Sequence, residues 1–241
     1  MESLLAAAIE PVEGLPHSLR ESMYSLYREY YDGTCRELFL TDLEDKDLAL
    51  LLRDPAGCLR GFTTIKTISF RYQNRPHRAV YSGDTLIHHK FWGQQTLAFE
   101  WIRFAGTLKS KSPETPLYWL LLVKGHRTYR YLSAFCREFL PHWEENACLA
   151  NRELRDHLGN TLFGEHFHPG TGVLHFPVSR GHLKPEWATV PGAAQQRADV
   201  RYFLDANPGY IQGDELVCLA ELSRENLKPL AQRLFAGEGE C

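Results

Sequence analysis

The sequence predicts an α/β (α+β) chain with a central mixed, mainly antiparallel sheet flanked by helices and an additional C-terminal section. Three observations carry that expectation. Residues 61–72 (GFTTIKTISFRY) and 78–87 (RAVYSGDTLI) are rich in the β-branched and aromatic residues that suit a pleated surface. Residues 117–123 (LYWLLLV) are apolar at nearly every position, as in a strand covered on both faces. Between these runs, Leu97, Ala98, Trp101, Ile102, Phe104, Ala105 and Leu108 recur with the period of an amphipathic helix.

In chain order, residues 1–15 read as an N-terminal arm of uncertain structure. Ser18-Leu19-Arg20-Glu21 is a capping-box pattern, followed by an apolar stripe through Leu19, Met23, Leu26, Tyr27 and Tyr30 and closed by Gly33. Residues 36–40 read as a short strand and 47–53 (DLALLLR) as a better one, ended by the turn Asp54-Pro55-Ala56-Gly57. Residues 73–76 read as a hairpin loop. Lys109 opens a polar loop that runs to Pro116, and helical spacing returns over 127–139 before Pro141 stops it. Residues 146–158 can form a helix, and 163–191 are irregular with one strand expected at 173–176. A strand over 213–221 and a last helix capped by Ser223 complete the chain.

Composition narrows the function classes. The net charge is -3, and with no long run of one sign a nucleic-acid footprint is missing. No apolar stretch approaches the ~20 residues of a membrane span. The start MESLLAAAIEPVEG has no basic region and is a poor signal peptide. The six cysteines (Cys35, Cys58, Cys136, Cys148, Cys218 and Cys241) form no CxxC pair, which suits reduced thiols in a cytoplasmic protein.

The central chemistry lies where the 78–87 strand passes through Trp92-Gly93-Gln94-Gln95 into the helix, because a helix N-terminus leaves backbone N–H groups free for an anion. The order of elements and residues 81–108 and 117–139 resemble the GNAT (GCN5-related N-acetyltransferase) superfamily. In that family a loop of pattern Q/R-x-x-G-x-G/A joins the fourth strand to the central helix and holds the pyrophosphate of acyl-coenzyme A. The fourth and fifth strands splay apart, and the pantetheine lies between them. Here Gly93 matches the first glycine, Trp92 stands at the basic position, and Gln95 and Leu97 replace the later glycines. The resemblance implies donor binding by Leu86, Ile87, Trp92, Gly93, Gln94, Gln95 and Thr96. It assigns 16–142 to an acyltransferase core, 143–212 to an irregular extension or lid, and 213–241 to a strand and helix completing the core.

The implied reaction moves an acyl group from acyl-CoA, or from the acyl-phosphopantetheine of an acyl-carrier protein, to an amine acceptor by direct attack. The carrier-fed option would parallel the similarly divergent acyl-homoserine-lactone synthases. No metal is expected, and an oligomer is left open. The alternative is a GNAT-like binding or sensor module that has lost catalysis.

Asp84, in mid-strand, is the candidate base, because a carboxylate there is costly unless paired. It otherwise bonds local backbone or pairs with an Arg. His88 shares its strand face about 13 Å away at ~3.3 Å per residue, and His89 lies on the other face or in the loop. Gly83 marks either a bulge or a packing contact. The family's Tyr acid aligns with Phe135, which cannot donate a proton; Tyr129 and Tyr131, one turn earlier, are the substitutes on offer, with Tyr131 the candidate and the acid left unassigned. Lys124, His126, Arg127 and Arg130 either meet a phosphate or an acidic substrate or form a solvated helix start. His166, His168 and His175 with Glu165 make the tightest histidine group, better read as a hairpin than as a metal site.

Overall fold

The computed structural model describes residues 4–144 and 149–237. The chain begins with β1 (Ala6–Pro11), α1 (His17–Tyr30), β2 (Tyr31–Asp32), α2 (Arg36–Glu44) and β3 (Leu48–Arg53). The long hairpin β4 (Leu59–Tyr72) and β5 (Arg75–Ile87) follows, then α3 (Thr96–Ser110), β6 (Leu117–Val123) and α4 (His126–Phe135). The remainder comprises α5 (Leu149–Phe163), β7 (Phe167–His168), β8 (Val173–Leu174), β9 (His182–Leu183), α6 (Pro185–Ala188), α7 (Gly192–Gln195), α8 (Ala198–Ala206), β10 (Glu215–Glu221) and α9 (Pro229–Ala236).

Eight strands form one sheet in the order β1-β3-β4-β5-β6-β10-β8-β7. Every neighbouring pair is antiparallel except β5 and β6, which run parallel across the α3 crossover. The sheet is therefore mixed, mainly antiparallel and flanked by helices, as expected. Gln73 and Asn74 turn the hairpin with φ of 47° and 62°, the left-handed conformation a two-residue loop demands.

The two-residue period sorts the strands onto two faces. Leu50, Leu52, Val80, Trp119, Leu121 and Cys218 pack under α3, α4, α8 and α9. On the opposite face Ala49, Leu51, Phe62 and Leu86 pack under α1 and α2, while Ala79, Tyr118, Leu120 and Val217 pack under α5. That second layer is thus in two halves, with a gap between them over the middle strands.

Several expectations are corrected. Residues 36–40 belong to helix α2, because Phe39 and Leu43, one turn apart, fill the space under α1. The N-terminal arm contains β1, which pairs with β3 along its full length. The capping box is absent: α1 starts at His17, Pro16 is its N-cap, and Glu21 binds Arg36 instead. The 127–139 helix ends at Phe135, and Cys136 and Leu140 make isolated bridges to Leu227 and Leu219. Ser223 accepts the Asn226 amide but the last helix begins only at Pro229. The expected start of a helix at Asn146, and Cys148 and Cys241, lie outside the described residues. Among the described residues the other four cysteines are unpaired, no His/Cys/Asp/Glu group could hold a metal ion, and no helix is long and apolar enough to cross a membrane.

Candidate active site

The site begins with one extra residue in β5. Thr63 pairs with Thr85 and Ile65 with Ser82, so Thr64 alone faces both Gly83 and Asp84. This is a β-bulge, and Gly83 is needed at it, because a Cβ there would sit 2.3 Å from Thr64 Oγ1. Just past it the sheet opens. β5 and β6 pair from Arg78↔Leu117 to Ser82↔Leu121 and no further, while β6 stays paired with β10 through Val123. The facing edges of residues 83–87 and 122–123 therefore leave backbone donors and acceptors available to a ligand.

A cavity of about 450 Å³ lies in the gap between α1/α2 and α5, over the bulge. Asp84 lines it, half-buried, and makes no hydrogen bond or ion pair with any described residue. Burial and the nearby Asp42 carboxylate push its carboxyl up, against the opposing pull of Lys124 and Lys46, and it reaches about 6. The neighbouring cations are committed elsewhere. Lys46 Nζ lies 2.9 Å from Asp42 and Lys124 Nζ 3.4 Å from Glu215. Tyr27, Tyr31 and Tyr81 wall the same cavity, and burial raises all three phenols, so they remain neutral. The arrangement offers one unpaired carboxylate, poised near neutrality, in a wall of aromatic rings.

A second cavity of about 610 Å³ lies between the α3 entry loop, α4 and residues 183–194. Tyr31, Thr85 and Thr128 line both cavities, so the two adjoin at the splay. A small hollow lined by Ser82, Thr85, Trp119, Thr128 and Tyr131 sits at the same point. Trp187 closes the rim of the second cavity: it lies 4.9 Å from Tyr30, stacks 5.3 Å from His89 and meets Trp92 edge-on at 5.5 Å. Its indole donates to Glu29 O.

Of the predicted site residues, Leu86, Ile87, Trp92, Gly93, Gln94, Gln95 and Tyr131 line the second cavity, and Asp84 the first. Thr96 is the first residue of α3 and lines neither. His88 also lies outside both cavities. Its ring stacks on His89 at 4.4 Å and faces Glu29 at 3.8 Å, and burial lowers its proton affinity. The structure does not bring it to Asp84's cavity. Tyr129 is core, its hydroxyl donating to Pro141 O at 2.6 Å. The Tyr131 hydroxyl makes no hydrogen bond with a described residue, and burial raises it. Sequence reasoning missed Tyr31, Lys46, Glu215 and Trp187. The first three carry no local signal, whereas an indole in a Pro- and Gly-rich stretch was a visible anchor. His166, His168 and His175 form a hairpin end in which His175 pairs with Asp214 at 2.8 Å.

The fold is thus a mixed sheet with a bulged, splayed parallel pair and two adjoining cavities. No protein-family model matches the chain, and no curated protein sequence matches it. Similar solved structures include an Enterococcus faecalis conserved protein of unknown function, a probable N-acyltransferase (10% identity, TM-score 0.41, 56% of this chain and 33% of that one). The Escherichia coli GNAT family N-acetyltransferase YhbS in complex with CoA is similar at 17% identity and TM-score 0.39, over 56% of this chain and 71% of that one. Arabidopsis thaliana NAA60 in complex with a bisubstrate analogue is similar at 18% and 0.39, over 56% and 87%.

Proposed function

We propose that the chain is an N-acyltransferase that moves an acyl group from an acyl-thioester, acyl-CoA in the first instance, to a small amine. The observation that carries this reading is the opening of β5 from β6 directly beside an unpaired Asp84. An extended thioester arm laid in that opening would meet strand-edge hydrogen-bonding groups on both sides, as an added strand does. Its carbonyl would then stand where the two cavities adjoin.

The amine enters from the Asp84 cavity. Asp84 takes a proton from the ammonium, directly or through a water, and the freed nitrogen attacks the thioester carbonyl carbon. Collapse of the tetrahedral adduct breaks the C–S bond, the leaving thiolate takes a proton from Tyr131, and the Tyr131 phenolate takes the remaining extra proton from the nitrogen as the amide forms. Burial favours both roles, since it keeps Tyr131 protonated and brings Asp84 toward the pH at which a base is most useful. Leu86, Ile87, Trp92, Gly93, Gln94 and Gln95 line the path of the donor, and residues 183–194 roof it.

Incubating the protein with acetyl- and longer acyl-CoA and a panel of amines, and following free thiol release, tests the reading. Amine-dependent release that is lost in Asp84→Asn supports it. Release that ignores the amine, or is unchanged in that variant, overturns it. An acyl-loaded carrier protein run beside the CoA esters distinguishes the two donors.

A further inference from the structure

In the loop ahead of α3 the side chains of Trp92, Gln94 and Gln95 bond within the protein. Gln94 Oε1 accepts the Leu5 amide at 3.2 Å, Gln95 Nε2 donates to Gly93 O at 3.2 Å, and the Trp92 indole donates to Ile87 O at 2.8 Å. Across the cavity lies the start of α4. Its His126 and Arg127 amides have no hydrogen-bond partner among the described residues, the Thr128 amide donates to Gly125 O at 3.1 Å, and, as in α3, its first turn holds no acidic residue. His126, only 5% exposed, lines the cavity and makes no hydrogen bond or ion pair with a described residue. A buried polar ring left in that state is what a ligand would satisfy.

Arg127 lies beside it. Its guanidinium is held 4.2 Å over the Trp92 ring and donates to Trp187 O at 3.3 Å, yet no described carboxylate pairs with it. Arg130, by contrast, faces Asp199 at 3.7 Å, and Arg197 holds the same carboxylate at 2.9 Å. Burial and the two arginines push the His126 imidazole down to about 4, so it is neutral at physiological pH and can both donate and accept. Burial also lowers Arg127 with nothing to offset it. His126 and Arg127 thus form an oriented, electropositive pair to which no described carboxylate is bonded.

We propose that the phosphate end of a nucleotide-bearing thioester is held at the start of α4, by the Arg127 guanidinium, His126 and the amides of those two residues. The proposal rests on the donor reading of the second cavity. Trp92 and Trp187 are the supports that aim the guanidinium, and a planar fork suits phosphate oxygens better than a point charge does.

The test is calorimetric titration of the full chain, as wild type, Arg127→Ala and Arg127→Gln, with CoA and with pantetheine, which lacks the phosphates. Arg127→Gln keeps a side chain of similar length over Trp92, so it guards against a variant that does not fold. CoA is expected to bind the wild type at least about tenfold more tightly than pantetheine, with the advantage shrinking at high salt. Both variants should weaken CoA about 10–100-fold and leave pantetheine within about twofold. Unchanged CoA affinity in both variants, or an equal loss of CoA and pantetheine, overturns the α4 subsite alone. A wild type that binds neither compound overturns the donor cavity, and the subsite with it.

Discussion

Asp84 sits in the cavity wall with no partner, and its raised carboxyl has two measurable consequences. Asp84→Asn should lower kcat by about 10²–10⁴ while leaving donor affinity unchanged, and wild-type kcat/KM should rise with pH through about 6. The stability effect has the opposite sense. The carboxyl titrates near 6 when folded and near 4 when unfolded, so the folded chain holds the extra proton between those values. Stability therefore falls as pH rises through that window, and Asp84→Asn removes the fall. Thermal melts should show the variant about 1–3 kcal/mol more stable at pH 7.5 and equal to wild type near pH 4. Tyr131→Phe should slow transfer from alkyl thioesters about 10–10³-fold, and much less from aryl thioesters whose leaving thiolate needs no proton. Asp84 was legible in the sequence because a carboxylate in an apolar strand asks for an explanation. Its companions were not: Lys46 and Glu215 are separated from it by 38 and 131 positions and converge only through the sheet order.

At the scale of elements, the bulge in β5 is what turns the strand away from β6. Gly83→Ala should force its Cβ against Thr64 Oγ1 and destabilise the chain by about 1–3 kcal/mol in urea unfolding. Thr64→Ala in the same background should recover part of the loss, since it removes the atom that is struck. The strands with strong alternation or continuous apolar character were legible: β3, β4, β5, β6 and β10 fall where residue pattern put them. Those that depend on a neighbour were not. β1 is AAAIEP, three alanines of low strand preference that pair because β3 offers a bare edge. Residues 36–40 (RELFL) end in a short apolar run that suits a strand as well as a helix, yet α2 wins because Phe39 and Leu43 share one helical face. His88 illustrates the same limit: the strand period extends to it in the sequence, but β5 ends at Ile87 and His88 caps the short helical turn that follows, facing Glu29.

For the whole molecule, the section after residue 143 matters because part of it returns to the site. β9 pairs with β2, and Leu183, Trp187, Ala188, Pro191 and Ala194 then wall the second cavity. No local pattern announces a contact between Trp187 and Trp92, which lie 95 positions apart. Trp187→Ala should raise the KM for the thioester about tenfold through lost aromatic packing, with little change in the KM for the amine. A mere loss of folded protein would lower the apparent kcat and leave both KM values unchanged. The central claim is that the opening between β5 and β6 receives an acyl-thioester, and the most direct measurement is the thermal stability of the chain with acetyl-CoA, longer acyl-CoA, free CoA and an acyl-loaded carrier protein. A donor at about 100 times its dissociation constant adds about 2.7 kcal/mol, so at least one of these should raise Tm clearly, an acyl form more than free CoA. An unchanged Tm with all of them would contradict the account.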